Sequence, residues 1–391
     1  MIPEIQLSDP AVLNDPVAAY ERAREQGPVA RMSTPGFGSM WVVTRHAEAK
    51  AMLSDSRFEL SEDTYLRPQV PEHCQKYLRT MHQTNGDEHA RVRRLVSPAF
   101  SARRAEEFRP RITQMVEASL DDIPAGTGAP VDLVPLFAQP LPVDVICELL
   151  AIPLADRESW RRYGVAIATG HGADFMAAVP AIMDDAAAAV AHRAQEPGED
   201  LLSQLIGQEN LSDVELVTLV WNLILAGQTP AGLIINAVDT LLRHPDQLAA
   251  LLADESLLPG AVEELTRWCG PQLLSLPRFA QEDVEIGGVR ISEGDAVSAC
   301  LASANRDPRA FSDAGRLDLR REPGRPGHLA YAHGPHFCLG AAFARVQIEV
   351  ALSSLLRRFP GLRPADDTVR RVPDPGAWRV SALPVLLPAS L

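Results

Sequence analysis

The stretch HLAYAHGPHFCLGAAFARVQIEVAL, His328 to Leu352, sets one cysteine, three histidines and two glycines ahead of a helical pattern. Cys338 follows Gly334, Pro335 and His336 and precedes Gly340, so its backbone is confined to a tight loop. Behind it Ile348, Leu352, Leu355, Leu356 and Phe359 fall at helical spacing, and Phe359-Pro360 ends the run. Three chemistries compete for such a thiol. Zinc could take His333, His336 and Cys338, but a structural zinc wants four ligands and no CxxC partner lies nearby. A nucleophilic thiol wants a base and an orienting acid, and the sequence neither supplies nor denies them. A thiolate ligand to haem iron wants a loop that exposes sulfur, backbone amides that temper its charge, and a helix start behind it.

Composition limits the setting. The 391 residues are ample for a large core, and 46% of them are hydrophobic, ordinary for a folded protein. A formal charge of −14 and a pI near 5.2 argue against a nucleic-acid partner. Cys74, Cys147, Cys269, Cys300 and Cys338 are scattered and odd in number, which suits a reducing compartment rather than a disulfide framework. The opening MIPEIQLSDP has acids and a proline where a signal peptide needs cations and an apolar core. No stretch approaches the ~20 apolar residues of a membrane span. A cytoplasmic protein without a membrane anchor is expected.

The elements that must position the loop are mostly helical. Asp15–Gly27 reads as a capped amphipathic helix, and two short strands around a turn follow. Arg57–Thr80 is loop-rich, with no clear period. Another helix starts at Asp87 and Glu88, where carboxylates suit the dipole. From Ser212 a helix of about thirty residues is expected, with Ser212 and Glu215 as a capping box and Pro245 beyond its end. Apolar residues on both faces near its middle send it through the core. GAVEELTRW lies in a further helix, followed by short strands and a meander rich in proline and arginine. The expected fold is mainly α with a small β portion, one domain over 1–391.

YAHGPHFCLG, Tyr331–Gly340, resembles the haem-binding loop of the cytochrome P450 monooxygenases, F-G-x-G-x-H-x-C-x-G. Gly334, His336, Cys338 and Gly340 match, while Tyr331 and Ala332 replace phenylalanine and glycine. Further stretches agree in the family's order. EELTR supplies the E-x-x-R pair Glu264 and Arg267, with Arg320 expected to complete that cluster. ANRDP (Ala304–Pro308) with Phe311 also fits, and EHARVRR sets His89 and Arg93 four residues apart. Any one pair alone would read as ordinary surface charge.

The resemblance, to the soluble bacterial branch, implies a cytochrome P450 fold with a long central distal helix. It implies haem b with Cys338 as proximal thiolate in a cradle that includes Gly340, the thiolate favouring O–O cleavage. His89, Arg93, Arg278 and His336 would pair the haem propionates. Electrons would come from a ferredoxin and an NAD(P)H-dependent ferredoxin reductase, steered by Arg94, Arg103, Arg104 and Arg345. The family's distal A-G-x-[DE]-T element reads AGQTP here. Ala226 and Gly227 match, Thr229 replaces the acid, and Pro230 replaces the threonine. Proline removes the amide owed to the Ala226 carbonyl, so the helix should kink. Gln228, Thr229 or that freed carbonyl would hold a water that delivers protons, or a polar group on the substrate would deliver them. By the same analogy the pocket is lined by Arg57–Thr80, the segment around Trp160–Pro180, Leu223–Pro230, Leu273–Leu276 and the turn near Trp378. A moderately hydrophobic small molecule of secondary metabolism is the implied substrate. Oxidative coupling or desaturation without oxygen insertion, and a non-catalytic haem sensor or carrier, are the competing functions.

Overall fold

A computed structural model describes residues 2–34, 38–62, 68–169, 173–208, 210–322, 324, 326–366 and 370–388. Asp15 caps the helix Pro16–Gln26, its carboxylate accepting from the Ala18 amide at 3.0 Å, and Gly27 closes it. Strands Val29–Thr34 and Gly38–Val43 then pair antiparallel, with Val29 opposite Val43 and Thr34 opposite Gly38. Ala296–Ala299 runs parallel to Gly38–Val43, and Arg278–Ala280 lies antiparallel beyond it. Arg278 thus projects from a strand that is held on both sides, by Ala296–Ala299 and by Phe58–Glu59.

The helical part encloses a core of its own, running from Cys74 to the C-terminal strands. Through it passes the central helix, whose capping box forms as expected: the Glu215 amide donates to the Ser212 hydroxyl, and the Ser212 amide to the Glu215 carboxylate at 2.8 Å. It is not one helix. Asp213–Ala226 and Thr229–Arg243 are separate segments broken at Gly227–Gln228. Pro230 cannot donate to the Ala226 carbonyl, and the Thr229 hydroxyl takes that place at 3.0 Å. A side chain on Gly227 would collide with Ile146, which keeps this turn close to the neighbouring helix Pro140–Leu149. The expectation about apolar length also needs correcting. Ala173–Gln195 and Asp213–Arg243 are both long and apolar enough to cross a bilayer, and 56% of the second window is buried inside the protein. An interior helix needs the same apolar surface as a membrane span.

Glu264 and Arg267, on helix Leu258–Cys269, are buried and joined by two 2.7 Å bonds. Arg267 also donates to the carbonyls of Asn305, Ala314 and Arg316, so the pair pins the meander. The third member is Arg321, whose Nε reaches Glu264 at 3.0 Å; Arg320 is exposed. Leu317 and Leu319 turn inward and Arg320 outward, and that alternation carries Arg321 back to the carboxylate.

Candidate cofactor site

The Cys338 loop is tied at both ends. Its entry is fixed where the Leu329 amide donates to the buried Asn305 side chain at 2.6 Å, while Asp307 accepts from the His46 amide at 3.0 Å. ANRDP is therefore the clamp on the loop. Within the loop, Ala332 donates to Leu329 O at 2.8 Å, Phe337 to Gly334 O at 3.0 Å, and Cys338 to Tyr331 O at 2.9 Å. Two turns adopt left-handed backbone, at Ala332 (φ 60°) and Gly334 (φ 75°). A Cβ on Gly334 would lie 2.7 Å from the Leu53 carbonyl oxygen, so the loop rests directly on the end of helix His46–Ser54. At the exit Gly340 caps helix Ala341–Arg358.

Cys338 is exposed, whereas Cys74, Cys147 and Cys300 are buried and Cys269 half-buried. Burial pushes the thiols of Cys147, Cys269 and Cys300 up to about 12, which leaves them inert at neutral pH. Crowding by protein also raises the Cys338 thiol, but the amides of Gly340 and Ala341 and the charges of Arg93 and Arg345 favour its anion. The residue is exposed, with the helix-start amides of Gly340 and Ala341 at its sulfur.

Beside this loop the four basic residues singled out from the sequence come together. The His89 ring lies on the His336 ring with centroids 4.0 Å apart. Arg93 donates to the Phe337 carbonyl at 2.6 Å, and Arg278, 4% exposed, to the Leu53 carbonyl at 2.8 Å. Burial, then mutual repulsion, drives His336 down to about 3 and also lowers His89; burial brings Arg278 to about 10. His82 belongs to the same field, held down to about 4 by burial and by His89 and Arg93. Sequence reasoning missed it, because His82 lies on the short turn Met81–Gln83 ahead of the helix Gly86–Val96, so helical spacing does not connect it to His89. The buried Nε2 of His89 has no hydrogen-bond partner, and none of His89, Arg93, Arg278 and His336 meets a carboxylate among the described residues. Two arginines and two histidine rings crowded without a carboxylate, one ring nitrogen orphaned, fit an anionic group such as a haem carboxylate, whose charge would favour protonated rings.

At the break in the central helix, Ala226 and Thr229 are exposed. The Ala226 carbonyl expected to be free is occupied by Thr229. Gln228 turns the other way: its Nε2 donates to Ile224 O at 3.3 Å, and its buried Oε1 lies beside Gly164 of helix Arg157–Thr169 without a partner. The structure thus joins Thr229 to Ala226 and separates Gln228 from them. Of the proposed pocket walls, residues 63–67 and 170–172 lie outside the described residues. Of the steering arginines, Arg103 and Arg104 pair with Glu107 and Arg345 pairs with Glu263, while Arg94 is exposed.

A family model described as Cytochrome P450 matches residues 181–380. Nocardicin C N-oxygenase of Nocardia uniformis subsp. tsuyamanensis is 39% identical over 398 residues, covering 96% of this chain and 97% of its own. The chain belongs to the cytochrome P450 family. Among solved structures, the ligand-free P450 monooxygenase TamI superposes with a TM-score of 0.89 at 34% identity, covering 99% of this chain and 94% of that one. The P450 enzyme CxnD, for C–S bond formation in chuangxinmycin biosynthesis, gives 0.84 at 32% identity and 96% coverage of each chain. This P450 is accordingly a haem-dependent oxidoreductase whose iron takes a cysteine thiolate.

Proposed function

We propose that this P450 oxidises a moderately hydrophobic small molecule of secondary metabolism in the cytoplasm. Haem b would be held by Cys338, with electrons from a ferredoxin and its NAD(P)H-dependent reductase. The observation that carries the reading is the loop geometry: one exposed thiol facing helix-start amides beside a basic cluster in which the buried His89 Nε2 has no partner. His89, Arg93, Arg278 and His336 would hold the propionates, with the Gly340 amide supporting the sulfur. When bound, a thiolate-ligated haem supplies dioxygen activation, and the protein supplies position, protons and exclusion of water. The whole chain, 1–391, serves as one haem-binding unit.

The residues at the helix break decide how protons arrive. Thr229 spends its hydroxyl hydrogen on Ala226 and keeps its lone pairs, so it can accept from a water but not donate onward without breaking that bond. Gln228 faces Gly164, and its buried, unpartnered Oε1 can accept from a water there. Proton delivery would run through a water held by Thr229 or Gln228, or through a polar group of the seated substrate. The substrate route favours a second reading, hydrogen abstraction followed by coupling or desaturation without oxygen insertion; the similar CxnD is named for C–S bond formation. Oxygen insertion is the primary reading, as in the related N-oxygenase. Substrates found by Soret shift, turned over under labelled dioxygen, separate the two by product mass. One labelled oxygen in the product supports insertion; loss of two hydrogens without label supports coupling or desaturation. No product from any compound that shifts the Soret band would leave the sensor or carrier reading standing.

A further inference from the structure

Far along the chain from Cys338, a second group of ligating side chains meets. His73 and Cys74 lie on the short helix Glu72–Tyr77, and Asp184 on the helix Ala173–Gln195. The His73 Nε2 is 2.8 Å from Asp184 Oδ1, and the Cys74 sulfur is 3.7 Å from the same oxygen. All three ligand atoms lie within 4.8 Å of one another. We propose that His73, Cys74 and Asp184 form a zinc site that fastens these two elements together.

The donor set argues for zinc. An imidazole nitrogen, a thiolate and a carboxylate suit a borderline-soft divalent ion, while magnesium and calcium want oxygen alone. The geometry is asymmetric in a useful way. Cys74 is buried, so its sulfur approaches from the protein side, whereas His73 and Asp184 are exposed and leave a solvent-facing position for a fourth ligand. Three protein ligands plus water is the arrangement of open zinc sites, so this site would differ from a closed structural one, with water in the place of the fourth protein ligand. Without metal, Asp184 Oδ1 serves both neighbours at once. With metal, zinc replaces the thiol proton, which leaves to solvent, and the carboxylate and thiolate meet a cation instead of each other. Metal binding should therefore release a proton and weaken as pH falls.

The position gives the site a consequence. The far end of the short helix is already fixed to the central helix, where Trp221 Nε1 donates to Tyr77 O at 2.9 Å. A metal at the near end would fix it to the helix Ala173–Gln195 as well. Zinc would thereby slow the relative movement of the two segments read above as pocket walls. The metal site itself does not rest on that reading.

The test uses the haem-loaded full-length protein, dialysed against zinc with millimolar magnesium present. Wild type is expected to bind zinc with one sulfur at about 2.3 Å and nitrogen or oxygen at about 2.0–2.2 Å by X-ray absorption. His73→Ala, Cys74→Ser and Asp184→Asn should each weaken zinc binding by roughly 10- to 100-fold or more, since even supporting residues of metal sites have that effect. Zinc should also slow amide exchange across Glu72–Tyr77 in wild type and not in the variants. Should Cys74→Ser fail to fold, the two exposed positions carry the comparison. Equal zinc affinity in wild type and the His73 and Asp184 variants would overturn the proposal. So would a zinc shell without sulfur, or a sulfur that persists in Cys74→Ser.

Discussion

At the scale of single residues, the site depends on backbone conformations that side chains alone do not reveal. Gly334 needs φ 75° and has the Leu53 carbonyl where a Cβ would go, so two separate costs attach to any side chain there. Ala332 tolerates φ 60°, at a strain of about 1 kcal/mol for an L-residue. Gly334→Ala should therefore lose haem on purification, while Ala332→Gly should retain it and change stability by less than about 1 kcal/mol. Haem-to-protein absorbance ratios and urea midpoints check both; equal haem retention by the two variants would contradict the close-approach argument. The thiol itself gives a sharper expectation. Reduced, CO-bound protein should show the long-wavelength Soret band of a thiolate-bound haem. Cys338→Ala should abolish it, and Cys74→Ala and Cys300→Ala should not, because the latter two thiols are buried elsewhere. An unchanged band in the Cys338 variant would remove the thiolate assignment.

At the scale of elements, what was legible followed from short-range rules, and what was not followed from packing. Asp15 before Pro16, and Ser212 with Glu215, announce helix starts because capping is settled within four residues. Pro230 announces a kink for the same reason, but the sequence did not reveal that Thr229 would cap the vacated carbonyl. The meander misassignment has the same root. Whether Arg320 or Arg321 faces Glu264 depends on which way an irregular chain alternates, and two adjacent arginines look alike in sequence. The difference is testable. Glu264→Ala strands a nearly inaccessible Arg267 and should destabilise by about 3–5 kcal/mol, or prevent folding. Arg321→Ala removes a partly buried donor to the same carboxylate and should cost about 1–3 kcal/mol. Arg320→Ala should stay within about 0.5 kcal/mol of wild type. Urea denaturation of the two arginine variants decides the matter, and the reverse order would restore Arg320.

At the scale of the whole molecule, one carboxylate adds a polar link between the helix that carries the buried ion pair and the helix behind the cysteine loop. Glu263, next to Glu264 but half-buried on the other side, accepts from Arg345 at 2.5 Å and meets His328 at 3.3 Å. Arg345 sits on the helix behind Cys338 and covers the Tyr331 ring, while His328 stands at the entrance to the loop. Burial alone would raise the Glu263 pKa, but the nearby His328 ring and the bonds from Arg345 win and hold it down to about 2, from an ordinary 4.5. A carboxylate depressed in the folded state binds its proton more readily when unfolded. Its stabilisation is therefore complete above about pH 4.5 and disappears as pH falls towards 2. Urea midpoints of the haem-loaded protein, measured at a series of pH values across that window, should fall steeply in wild type. Glu263→Gln should start lower at neutral pH, because it loses the charge-assisted bonds, and then fall less steeply until the two curves converge. Loss of haem absorbance should follow the same two curves, since Glu263 braces both ends of the Cys338 loop. If the curves stay parallel from pH 4.5 to 2, the acid sensitivity arises elsewhere and Glu263 does not link the two helices.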